Sequence, residues 1–91
     1  MTRQELTEAF AEAAAREDSF LGVAISGENG SREFRFYEPG GFEAAEKAYL
    51  RAYDGEGRGK NGSRLLAAYS GAYLAGTAAT LLCAAEREEN R

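Results

Sequence analysis

The amino-acid sequence predicts a small single α+β domain over residues 1–91, in the order helix, β-hairpin, helix, long central helix (αββαα). Three observations point there. Thr2-Arg3-Gln4-Glu5 has the spacing of a capping box, in which two side chains satisfy otherwise unpaired amides at a helix start. At Phe20 the apolar residues change from helical spacing to strict alternation, ahead of an Asn-Gly pair. Residues 65–85 read LLAAYSGAYLAGTAATLLCAA, without charge or proline, and would span ~30 Å as a helix.

In the first helix, Leu6, Ala9, Phe10 and Ala13 share one face, while Glu5, Glu8 and Glu12 lie toward the other, with Glu12 one turn before Arg16. That acidic face is a candidate docking surface for a basic protein partner, through Glu5, Glu8 and Glu12.

Residues 20–26 form the first strand. Asn29-Gly30 predicts a type I′ turn, because both of its central positions require positive φ. Residues 31–37 return as the second strand, with Phe34 and Phe36 on one face and Arg35 outward. A two-stranded ribbon is marginal in water, so its apolar residues are expected to pack on the helices. Its free edges invite strand addition or pairing with a second copy. Pro39-Gly40 fits a type II turn, and Phe42, Ala45 and Tyr49 then repeat at helical spacing in a second helix that ends at Asp54-Gly55, with Glu43 paired to Lys47.

Residues 54–64 alternate glycine with charge and read as a flexible loop. Residues 55–60 are one residue short of a P-loop, and no strand precedes them, so a nucleotide-binding Walker motif is rejected. What remains is an anion site at a glycine-rich segment before a helix N-terminus, built from Arg58, Gly59, Lys60 and Arg64. A helical hairpin would bring Tyr49, Tyr53, Tyr69 and Tyr73 to the same end, making Tyr53 and Tyr69 candidates to stack on a nucleotide base.

Residues 65–85 have the length of a membrane span but too much Ala, Gly, Ser and Thr, so the expectation is a helix buried within the domain. Ala67, Gly71, Ala75 and Ala79 would form a smooth stripe along it, and Cys83 would be a small buried apolar residue. Residues 87–91 place acids at the wrong end of a helix dipole and predict a frayed tail.

The totals bound the function. With no histidine, the chain lacks the commonest general base and metal ligand, and a single cysteine cannot form an internal disulfide or, alone, a zinc site. A net charge of -4 argues against non-specific nucleic-acid binding. The N-terminal segment lacks the layout of a signal peptide, so the expected setting is cytoplasmic and not membrane-bound.

No catalytic set, metal site or cofactor motif is visible, so the expected class is a non-enzymatic binding or inhibitor module; the alternative is a small-molecule binder holding a nucleotide or other anion at the basic loop. In size, acidity and element order the chain resembles small phage-encoded anti-CRISPR proteins, which implies binding to a host defence protein. That likeness lies in layout and matches no particular residue. A helix apolar on every side, with one hairpin and two short helices to cover it, also predicts a homo-oligomer, in its simplest form a symmetric dimer.

Overall fold

The computed structural model describes residues 1–90 and has the element order α1 (Arg3–Ala15), β1 (Phe20–Ser26), β2 (Arg32–Tyr37), α2 (Phe42–Ala52), β3 (Arg64–Gly71) and α3 (Leu74–Glu89). The α+β class holds, but the long central helix does not: its first part is β3 and only the remainder is α3. The observed order is therefore αββαβα.

Helix α1 begins as its sequence dictates, with the Thr2 hydroxyl accepting from the Glu5 amide and the Glu5 carboxylate accepting from the Thr2 amide. It ends in a Schellman turn: the Asp18 amide donates to Ala13 and the Glu17 amide to Ala14, with Glu17 left-handed at φ 56. The surface pairs Glu12–Arg16 (3.2 Å) and Glu43–Lys47 (3.1 Å) form one turn apart on α1 and α2.

Two turns differ in kind from expectation. The β1–β2 connection closes with Gly27 donating to the Ser31 carbonyl (2.7 Å) and Gly30 donating to the Gly27 carbonyl (3.0 Å), and only Gly30 has positive φ. This is a three-residue loop with a left-handed glycine, whose twist suits the hairpin, rather than a type I′ turn. Residues 39–41 form a single 3-10 turn leading into α2, with Gly40 outside the positive-φ region that a type II turn requires.

The sheet order is β2-β1-β3, antiparallel throughout, so β1 is central and buried on both faces. Leu21, Val23 and Ile25 meet Leu6, Phe10 and Ala13 of α1 and Phe42, Ala45 and Tyr49 of α2. Ala24 meets Leu81 and Ala85 of α3, joined by Leu66 and Ala67. Phe34 and Phe36 pair with Ala24 and Gly22 and so lie on the α3 side, while α1 and α2 cover the other.

The register shift at Ala24/Ile25 explains why residues 65–71 resemble a helix in sequence. Ala24 pairs with Ala67 and Ile25 with Leu65, leaving Leu66 as an extra residue. The bulge turns both Leu66 and Ala67 toward α3 while Leu65 faces the other core. Three consecutive buried residues, Leu65, Leu66 and Ala67, then erase the alternation that marks a strand. The stripe of small residues is dissolved as well, since Ala67 and Gly71 are on the strand while Ala75 and Ala79 are exposed on α3. Cys83 is exposed rather than buried, because Thr77, Leu81 and Ala85 define the inner face of α3.

Gly22 sets the depth of α3 on the sheet. A Cβ there would lie 2.7 Å from Leu81 Cδ2 and 2.7 Å from Phe36 Cε1, closer than real contacts permit. No helix among the described residues is long and apolar enough to cross a membrane.

Candidate functional site

From Asp54 to Gly59 the glycine-rich segment is hydrogen-bonded. Asp54 Oδ1 accepts from the amides of Glu56 (2.9 Å) and Arg58 (3.0 Å), and the Asp54 amide donates to the Arg58 carbonyl (2.9 Å). The Arg58 amide, ahead of that of Glu56, holds the Asp54 carboxyl below its usual value. Gly59 donates to Ser63 (2.7 Å), Leu65 donates to Gly57 (2.8 Å), and single bridges join Tyr53 to Gly59 and Arg58 to Arg64. Gly57 is buried at φ 82, where a Cβ would collide with the Met1 carbonyl. The Arg3 amide and guanidinium tie α1 to the same region through the carbonyls of Gly55 (3.3 Å), Leu50 (3.3 Å) and Tyr53 (3.4 Å).

Arg58, Lys60 and Arg64 are exposed here, Arg58 beside Glu56 (3.6 Å). Two supports of an anion site are absent from this geometry. The segment leads into strand β3 and not a helix N-terminus, so no helix dipole points at it. The amides of Glu56, Gly57, Arg58 and Gly59 already have internal acceptors. Nor do the tyrosines converge. Tyr53 stays near the loop, its hydroxyl accepting from Ser63 (3.4 Å). Tyr69 pairs opposite Gly22, five residues along β3 from Arg64, or ~16 Å at a strand's rise. Tyr73, 80% exposed, follows still farther along, before α3. Tyr49 is a core residue whose hydroxyl meets that of Tyr37 at 2.7 Å, and burial, then this bond, pushes its ionisation well up.

On α1, the acidic residues have local partners. Glu5 serves the cap, Glu8 accepts from Gln4 (3.3 Å) and Glu12 pairs with Arg16. Among the described residues, no group of three or more His, Cys, Asp or Glu side chains is placed to hold a metal ion.

An exposed apolar strip lies elsewhere on the surface. Leu74, Ala78 and Leu82 recur every fourth residue along the flank of α3 that faces the β2 edge. Leu74 is 47% and Leu82 42% exposed. Ala78 and Leu82 form, with Phe34 and Phe36, an apolar trough of about 250 Å³. Phe36 and Leu74 continue into a neighbouring hollow of about 400 Å³ with Phe20, Tyr37, Glu38 and Gly41. The strip exists because α3 packs chiefly over β1 and β3; it reaches β2 through the ion pairs of Arg32 with Glu86 (3.7 Å) and Glu89 (2.8 Å) and leaves Phe34 and Phe36 half-covered. Comparison of the chain with known family models, curated proteins and solved structures finds no match.

Sequence reasoning selected the Gly-rich loop because charge and glycine are visible in one dimension. Phe34 and Phe36 read in the sequence as residues that pack on the helices, and nothing local to residues 74–82 shows that α3 leaves them half-covered. The one available signal was the ratio of cover to apolar surface, which led to the expectation of self-association.

Proposed function

We propose that the chain is a non-catalytic protein-binding module that works in the cytoplasm through the apolar strip of α3 and β2. The observation that supports this reading is the continuity of Phe34, Phe36, Leu74, Ala78 and Leu82 beside an open strand edge. Contiguous exposed apolar surface next to unpaired backbone groups is suited to a protein partner, which buries the one and pairs the other. An inhibitor of a host defence protein is one such module. The likeness behind it drew on size, acidity and element order, of which the observed order αββαβα differs from αββαα, and it matches no particular residue, so we carry protein binding forward.

Site-specific photocrosslinking tests the proposal. A benzophenone side chain at Leu82 should give a discrete protein adduct in cells, whereas the same group at Glu8, on the acidic face of α1, should not. Absence of any adduct at Leu82 would refute the strip as the binding surface, and an adduct at Glu8 alone would return the acidic face to first place.

A further inference from the structure

We propose that the occupant of this strip is a second copy of the chain, paired β2 to β2 antiparallel about a two-fold axis through Phe34. This rests on the reading of the strip as an interface and names its partner. The backbone supplies the first argument. Gly27 and Ser31 form a hydrogen-bonded pair across β1 and β2, and such pairs recur every second residue, at Ile25–Glu33, Val23–Arg35 and Leu21–Tyr37. The N–H and C=O groups of Arg32, Phe34 and Phe36 therefore point away from β1, and among the described residues they have no partner. The opposite edge is closed at its start. At Leu65 the outer side of β3 already donates to Gly57 (2.8 Å) and accepts from the Met1 amino group (3.3 Å).

The second argument is charge, and it selects a register. Glu33 and Arg35 flank Phe34 on the face opposite α3, paired with each other at 2.7 Å and each about half exposed. A two-fold at Phe34 sets Glu33 opposite Arg35 of the second copy, and Arg35 opposite its Glu33. Moving the axis by one residue sets Glu33 against Glu33 or Arg35 against Arg35, which is unfavourable between directly opposed strand positions. Moving it farther shortens the ladder. Only the Phe34-centred register combines the outward-facing backbone groups with opposite charges at both symmetric positions.

The third argument is burial. In an antiparallel extension both α3 helices stay on one face, so Phe34 meets Phe34 of the second copy and the two troughs merge into one apolar channel between the helices. The self-complementary seam is isologous and closes at two chains.

The test is sedimentation velocity on the purified chain from about 10 to 500 µM, with the wild type, Glu33→Arg, Arg35→Glu and the exchanged double variant. The wild type is expected to dimerise. Each single variant should weaken dimerisation at least roughly fivefold, because two cross-strand pairs turn repulsive together. The double variant should restore it. A wild type still monomeric at the highest concentration overturns the inference while leaving the Leu82 crosslink to another protein as a separate result. A dimer indifferent to the single changes, or one the double fails to restore, overturns the β2 register. Should a single variant fail to fold, Phe34→Cys in a Cys83→Ser background decides: opposed Cα atoms ~5.5 Å apart permit a disulfide at this register, and no crosslink on oxidation counts against it.

Discussion

Gly22→Ala is expected to destabilise the protein although alanine is the better residue for an extended backbone. The added methyl would sit 2.7 Å from Leu81 Cδ2, 2.7 Å from Phe36 Cε1 and 2.9 Å from Phe36 Cδ1, against an ordinary contact of about 3.5 to 4 Å. Phe36 is only half-buried on the edge strand and can swing outward, but Leu81 is fully buried and cannot. Helix α3 must therefore rise from the sheet by roughly 1 Å, and a gap of that size forfeits up to about half of each dispersion contact it opens. Overpacking of this kind costs about 1 to 3 kcal/mol, offset by about 0.5 to 1 kcal/mol from replacing glycine. The net loss centres on about 1 kcal/mol, or a fall in Tm of roughly 4 to 8 °C in a domain of this size. Thermal melts followed by circular dichroism measure it. The cause is separable by a double-mutant cycle: Leu81→Ala removes the colliding atom, so Gly22→Ala should be nearly neutral in that background. A Gly22→Ala variant melting at or above the wild type, or strict additivity with Leu81→Ala, would show that Gly22 does not set the position of α3.

Gly57→Ala should be the most damaging single change in the glycine-rich segment, at least about 1 kcal/mol by denaturant titration, because a Cβ at φ 82 is strained and also collides with the Met1 carbonyl. Glu17→Gly should stabilise by about 0.5 to 1 kcal/mol in the same assay, since Glu17 holds the left-handed position of the α1 cap at φ 56 without glycine's freedom; a loss of stability would mean that its side chain has a role in the fold. Tyr49 brings a pH dependence of definite sign. Burial raises its folded ionisation above the unfolded value of about 10, so its contribution is complete below pH 10 and is lost as pH rises beyond it. Melting temperature should accordingly fall more steeply above pH 10 in the wild type than in Tyr49→Phe, and identical alkaline profiles would contradict the buried hydroxyl pair with Tyr37.

The elements legible in the sequence are those specified by neighbours in the chain. The capping box of Thr2 and Glu5 closes within four residues, the β1–β2 hairpin follows from alternation around a short loop, and α2 follows from Phe42, Ala45 and Tyr49 on one face. Each signal is local, and each element appears where its own residues place it. Residues 65–85 carry no such signal. A strand buried on both sides and a buried helix both read as unbroken apolar runs, and the bulge at Leu66 removes the remaining alternation. Only pairing with β1, some forty residues earlier in the chain, makes residues 64–71 a strand. The same long-range choice removed the helix N-terminus from behind Arg58 and Lys60, separated Tyr69 from Tyr53, and carried α3 over β1 and β3 so that Phe34, Phe36 and Leu82 were left at the surface. The expectation of excess apolar surface rested on a long helix apolar on every side, and that helix is not formed. Where apolar surface is left exposed was decided by the sheet order β2-β1-β3, because one helix cannot shield three strands.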